Sequence, residues 1–93
     1  MTEVIFVPRP AILIRRLHKK GWREAREAFL ERLGEAFEDR AFRKSARDAR
    51  FSILAGRASV VLYKDSEFGL CDIVFCRRDG KIVVYIARPT RQF

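Results

Sequence analysis

The sequence predicts an α+β fold in one domain, residues 1–93: an N-terminal strand, two helices of which the second is long and amphipathic, then three or four antiparallel strands. Three observations support this prediction. A β-branched run at the N-terminus stops at a proline, apolar residues from Trp22 recur at helical spacing, and after Phe51 the apolar pattern becomes that of extended chain. A chain of this length has room for one small core.

The first half of the chain predicts the strand and both helices. Residues 4–7 are β-branched or aromatic and precede Pro8, which predicts a strand. Pro10 suits the start of a helix, expected over residues 11–20, and Gly21 ends or bends it. The second helix, of about five turns, is predicted from a stripe of apolar residues with glutamates on the other face. The stripe consists of Trp22, Ala25, Phe29, Leu33, Ala36 and Phe37.

The second half predicts the sheet. Its strand-like runs are residues 51–54, 58–63, 70–76 and 82–88, separated by polar or glycine-containing segments. The last two runs are apolar on both faces, so we expect them at the sheet centre, or with one face under the helices and the other against a partner. The first strand is expected to join this sheet, with the helices on one side and an open face on the other.

Asp79-Gly80 is the strongest local signal in the chain. An Asp-Gly pair between two β-rich runs favours a two-residue type I′ turn, and such a turn sets the register of its hairpin. The expected pairs are Arg78 with Lys81, Cys76 with Val83, and Val74 with Tyr85.

The net charge is +8, and fifteen of the 20 cations are Arg. A small domain with this excess is predicted to bind a polyanion, DNA or RNA. Guanidinium groups bind phosphate through paired hydrogen bonds, which favours phosphate as the target. An Arg-rich chain without Asn is also typical of a protein from a hot or high-GC source, and both explanations stay open.

The cysteines and the single histidine predict no metal site and no cofactor. Cys71 and Cys76 are five residues apart in a predicted strand, so they point to opposite faces and cannot form a disulfide with each other. The N-terminus is too short and wrongly charged for a signal peptide, and no apolar run reaches the length of a membrane span. We therefore expect a cytoplasmic protein with no membrane partner.

The first group of candidate nucleic-acid-binding residues lies after the long helix. If that helix continues past Asp39, the spacing of the five cations between residues 40 and 50 predicts one basic stripe on the helix, which could follow a phosphate backbone. The alternative is a solvated face with local ion pairs, because Asp39 and Arg43 are at ion-pair spacing. The stripe consists of Arg40, Arg43, Lys44, Arg47 and Arg50.

The second group lies on the sheet and in the C-terminal tail: Arg57, Arg77, Arg78, Lys81, Arg88 and Arg91. Cations at a turn also protect strand edges from aggregation, which is the alternative for the three residues around Asp79-Gly80. Arg88 and Arg91 follow an apolar strand directly, and Pro89 fixes the direction in which the tail leaves it.

Asp72 interrupts an apolar strand, so it is an edge feature, an ion-pair partner or a ligand. With the following hairpin it resembles the strand pair of the PD-(D/E)xK nucleases. Those enzymes carry Glu-x-Lys on the second strand, where this chain has Ile86-Ala87-Arg88. One carboxylate offers too few hard ligands for Mg²⁺, so an active nuclease of that family is not expected.

The order of elements and the segment 69–93, with its Asp-Gly turn and basic-aromatic tail, resemble the RelE/ParE toxin superfamily. The resemblance implies an acidic antitoxin-like partner and an action on mRNA at the ribosome, or on gyrase. It also implies that Arg57, Arg88 and Arg91 hold mRNA, with Arg88 and Arg91 as candidate catalytic residues. Phe93 stands where such enzymes carry a terminal Tyr or His and has no proton to exchange, and His18 is expected at a helix end or surface. A binding activity, or charge stabilisation by arginines alone, is then expected.

Three hypotheses remain. The first is a nucleic-acid-binding module without turnover, marked by salt-dependent binding without toxicity. The second is a RelE/ParE-like toxin, marked by expression toxicity that an acidic partner relieves. The third is a virus- or plasmid-encoded interaction protein, for example a homodimer through the open sheet face, marked by indifference to nucleic acid and salt.

Overall fold

In a computed structural model, the chain forms a five-stranded mixed sheet with its helices packed against one face. The structure describes residues 2–19, 21–49 and 57–90. The elements in chain order are β1 (Val4–Ile12), a short 3-10 helix (Arg15–His18), α1 (Trp22–Phe37), α2 (Arg40–Lys44), β2 (Arg47–Ala49), β3 (Ala58–Asp65), β4 (Gly69–Arg78) and β5 (Lys81–Pro89).

The predicted architecture was an N-terminal strand, two helices and a meander of three or four antiparallel strands, and it is wrong because the structure has one mixed sheet of five strands. The strand order is β1-β5-β4-β3-β2, and β2 through β5 are antiparallel neighbours. β1 lies parallel to β5 along its free edge, so the sheet is mixed. β4 and β5 consequently lie inside the sheet, where strands that are apolar on both faces belong.

The prediction of a helix over residues 11–20 is wrong. β1 continues through Pro8 and Pro10 to Ile12, and only one 3-10 turn follows before α1. Proline cannot donate to a strand ladder, but an edge strand tolerates it because one side of the strand has no partner. The pairing of β1 with β5 shifts register between Phe6 and Ala11, the stretch that contains both prolines.

The long amphipathic helix forms, but it ends earlier than the basic stripe requires. Phe29, Leu33 and Phe37 of α1 are buried, as their spacing predicts. Asp39 then leaves helical geometry, and its side chain accepts a hydrogen bond from the backbone amide of Ala41 at 2.9 Å. This N-cap starts the separate, five-residue α2, so the chain from residue 40 onward does not extend α1.

The β4–β5 hairpin confirms two of the three predicted pairs. Asp79 and Gly80 both have positive φ, 51° and 74°, as a type I′ turn requires. Arg78 pairs with Lys81 and Cys76 with Val83, but Val74 pairs with Ile86, because an irregularity after Val74 leaves Tyr85 as an extra residue. The strand predicted over residues 51–54 lies outside the described residues.

Aromatic side chains fill the core between α1 and the sheet. The ring of Phe29 contacts those of Phe6, Tyr63 and Phe68, with centroids 5.8–6.4 Å apart. Phe37 contacts Phe75 from the sheet at 4.8 Å. Such offset and edge-on contacts hold the helix on this side of the sheet, which we call the covered face. Among the described residues, no helix is long and apolar enough to cross a membrane.

Candidate nucleic-acid interface

The other side of the sheet, which we call the open sheet face, has an apolar centre and a cationic rim. Cross-strand partners share a face, so the register assigns its members. One row runs across four strands, from Arg47 through Val60 and Val74 to Ile86. The centre comprises Ile5, Val60, Leu62, Val74, Val83 and Ile86, and the rim comprises Arg47, Lys64, Arg78, Lys81 and Arg88.

The apolar centre is partly accessible to solvent. Leu62 is 53% exposed and Ile5 37%, whereas Val74 between its neighbours is fully buried. These two exposed side chains lie on β3 and on the edge strand β1, with β4 and β5 between them.

Asp72 lies on this face as an ion-pair partner. Its Oδ2 is 3.5 Å from Nε of Arg88, and its Oδ1 accepts a hydrogen bond from Thr90 Oγ1 at 2.9 Å. Together with Leu13 and Pro89 these residues line a surface cavity of about 710 Å³. The sequence left three interpretations of Asp72 open, and this geometry supports the ion pair. In the described part of the chain, no three His, Cys, Asp or Glu residues cluster as metal ligands would.

At the hairpin end of the sheet, neighbouring arginines point to opposite faces. Arg78 pairs with Lys81 on the open sheet face, and Arg77 pairs with Ile82, a member of the core under the helices. Lys81 Nζ is 3.7 Å from Glu3 Oε2, so this rim cation already has a carboxylate partner.

Tyr85 and Cys76 also lie on the open sheet face. The Tyr85 hydroxyl and Cys76 Sγ are 3.0 Å apart, and this hydrogen bond raises the pKa of Tyr85. The pair places a half-buried aromatic ring beside the apolar centre.

The predicted stripe over residues 40–50 does not form one helical face. Arg43 Nη1 donates hydrogen bonds to the carbonyl oxygens of Phe37 and Glu38, at 2.7 and 2.8 Å, and so caps the C-terminus of α1. Arg40 and Lys44 remain exposed on α2, while Arg47 belongs to β2 and to the open sheet face.

Four of the eleven sequence-predicted residues are thus brought together on the open sheet face: Arg47, Arg78, Lys81 and Arg88. Arg57 is exposed just before β3, whereas Arg40, Arg43, Lys44 and Arg77 lie elsewhere. Arg50 and Arg91 lie outside the described residues. The sequence analysis missed Lys64, whose place on this face follows from its pairing with Leu70. Strict alternation from Val60 through Leu62 would have found it.

Most of the acidic side chains lie away from this face. Four exposed glutamates, Glu24, Glu27, Glu31 and Glu35, belong to α1, and Glu38 follows its last residue. The last four of these five line a groove of about 680 Å³ together with Leu30, Gly34 and residues 2–4. The acidic groove along α1 and the cationic rim of the open sheet face are thus two separate regions of the surface.

The most buried acid, Asp65, has a structural role. It accepts two hydrogen bonds from Arg32, at 2.9 and 3.0 Å, and one from the Tyr63 hydroxyl at 2.7 Å. The backbone amides of Glu67 and Phe68 donate two more. Burial opposes its ionisation, but these donors outweigh burial and lower the pKa of Asp65 to about 2. The hydrogen bonds from Glu67 and Phe68 close the β3–β4 turn. Because every acceptor position of the Asp65 carboxylate is used, none is left for a ligand.

No family model matches this chain, and neither the curated proteins nor the solved structures contain a significant match. The resemblance to the RelE/ParE superfamily stays a prediction.

Proposed function

We propose that this protein binds nucleic acid through the open sheet face, with the rim cations contacting phosphates. One observation carries the proposal. The two acids at this rim, Glu3 and Asp72, each pair with a cation, and the cations of this rim that still lack a carboxylate partner among the described residues are Arg47, Lys64 and Arg78. An uncompensated set of cations on one face is the electrostatic footprint of a polyanion-binding surface.

The distribution of charge also orients the partner. Four glutamates line one groove along α1, and a polyanion is repelled from that groove while the rim of the open sheet face attracts it. Two of the three unpaired cations are arginines, whose planar guanidinium groups fit phosphate oxygens in pairs. The apolar centre, with Tyr85 beside it, offers contact area for sugars and bases between the phosphate contacts.

The experiment is a salt series with labelled duplex DNA, single-stranded DNA and RNA of equal length, applied to the wild type and two double variants. Arg47→Ala/Arg78→Ala removes two cations from the open sheet face. Lys44→Ala/Arg77→Ala removes the same charge elsewhere, and Arg77 neighbours Arg78 but faces the other way. We expect the first variant to lower the slope of log K against log salt by about one per lost phosphate contact. The second should leave that slope close to the wild-type value.

Equal slopes for the two variants would place the interface elsewhere on the molecule. No binding of any of the three probes at low salt would refute nucleic-acid binding itself.

A second candidate function is self-association through the same face, supported by the exposure of Leu62 and Ile5 at its centre. Sedimentation of the wild type and Leu62→Lys tests it: a dimer that the substitution dissociates, and that salt and nucleic acid leave unchanged, is the expected signature. A wild-type monomer at high protein concentration would exclude this candidate.

A further inference from the structure

The N-terminal turn of α1 carries a ladder of stacked aromatic and guanidinium groups. The Arg26 guanidinium lies 4.8 Å from the Phe6 ring centroid and 5.1 Å from that of Trp22, so it is held between the two rings. Arg23 lies 5.4 Å from the Trp22 centroid. Phe6 in turn stacks on the fully buried Phe29, with an interplanar angle of 9°. The ladder therefore runs from the core to the surface, and its outer members are fixed by its inner ones.

A small cavity of about 250 Å³ opens beside this ladder. Ile12 and Leu17, both buried, form its apolar part, and Trp22, Arg26 and His18 complete the lining. Pockets for drug-sized molecules begin at roughly 300 Å³, so this one suits a single planar ring rather than a larger ligand.

His18 is held in place at the edge of this cavity. Its Nε2 lies 2.6 Å from the carbonyl oxygen of Ile12, and because a carbonyl only accepts hydrogen bonds, Nε2 carries the proton. The other ring nitrogen, Nδ1, has no hydrogen-bond partner among the described residues. The cavity thus combines an aromatic wall, a guanidinium group and an imidazole ring.

Two further cations flank this cavity in sequence, because Lys19 follows His18 and Arg23 follows Trp22. Lys19 and Arg23 are exposed and have no carboxylate partner among the described residues. Glu24 and Glu27 of α1 are exposed as well. A base-sized cavity bordered by unpaired cations has the chemistry of a nucleotide within a chain: the ring enters the cavity and the flanking phosphates meet the cations.

We propose that this cavity binds one unpaired base of a single-stranded nucleic acid, with the base against the part of the Trp22 ring that lines the cavity and the adjoining phosphates held by Lys19 and Arg23. This inference rests on the proposed function and sharpens it, because a base inside a duplex has no exposed π-face to offer. It predicts a preference for single strands, DNA or RNA, over a duplex of the same length.

The test uses the intrinsic fluorescence of Trp22, the sole tryptophan of the chain. Titration with oligo(dT) and oligo(U) should quench this emission in a saturable way, and a duplex of equal length should quench it far less. In anisotropy measurements with the same labelled oligonucleotides, Trp22→Ala should weaken single-strand binding roughly 5- to 100-fold, the range for loss of one base–aromatic stack. Trp22→Phe should restore most of that loss, and duplex binding should be unchanged in both variants.

Thermal unfolding of Trp22→Ala checks that α1 remains packed, and Trp22→Phe keeps the test valid if the alanine variant is unstable. Single-strand affinity that is the same in all three proteins would overturn this inference. It would leave the proposed function standing if Arg47→Ala/Arg78→Ala still weakens binding. No binding of any nucleic acid by the wild type would overturn both.

Discussion

The two faces of the sheet use the same strands in opposite ways. On the covered face, large rings contact one another and the buried acid Asp65 has five hydrogen-bond donors. On the open sheet face, Leu62 is half-exposed and the acid Asp72 has two partners at the surface. Because side chains alternate along a strand, one amino-acid step separates a residue that stabilises the fold from one that is available to a partner.

Because of this difference, stability and binding can be altered by separate substitutions. Substitutions of buried residues on the covered face should change the free energy of unfolding, and those of exposed residues on the open sheet face should change binding with little effect on unfolding. Matched pairs of residues, one on each face, test this separation.

The largest contrast is expected between Phe29→Ala and Leu62→Ala. Phe29 is fully buried and contacts three other rings, so its truncation should lower the free energy of unfolding by about 3–5 kcal/mol. Leu62 is 53% exposed, and its truncation should cost less than about 1 kcal/mol. Urea unfolding measures both. Similar losses in the two variants would mean that the open sheet face is covered in the folded protein.

The two acids give the next contrast. Asp65→Asn removes the charge that pairs with Arg32. It should lower the free energy of unfolding by about 3 kcal/mol, as for a broken buried ion pair. Asp72→Asn weakens an ion pair in which the Arg88 side chain is 44% exposed. It should lower the free energy of unfolding by less than about 1 kcal/mol.

Asp65 should also make the stability depend on pH. Its pKa is about 2 in the folded protein against an ordinary value of 3.8, so its contribution is complete above about pH 5 and is lost as the pH falls toward 2. Acid titrations of the free energy of unfolding should show a loss of about 2 kcal/mol in this window that is absent in Asp65→Asn. A variant with the wild-type acid profile would contradict this assignment.

The smallest effect concerns the cysteines, whose labelling should differ between the faces without any change in stability. Cys71 is fully buried on the covered face, and burial raises its pKa to about 11, so the folded protein should not expose its thiolate. Cys76 is half-buried on the open sheet face. A thiol reagent should modify one cysteine of the native protein, and Cys76→Ser should abolish that reaction. Labelling that persists in Cys76→Ser would show that the covered face opens readily.

The sequence alone determined the elements whose signal is local. The stripe of Phe29, Leu33 and Phe37 predicts α1 because helical spacing places those residues on one side. Asp79-Gly80 predicts its turn because both residues adopt positive φ at little cost.

The other features depend on contacts between residues far apart in sequence. Pro8 and Pro10 lie in a strand because β1 is at the edge of the sheet, where proline is tolerated. Asp39 ends the long helix because its side chain caps the next helix. The candidate interface also depends on tertiary structure: Arg47 and Arg78 are 31 positions apart in sequence, and cross-strand register places them on one face. Local preferences act over a few residues, whereas a surface is assembled from strands that meet only when the chain is folded.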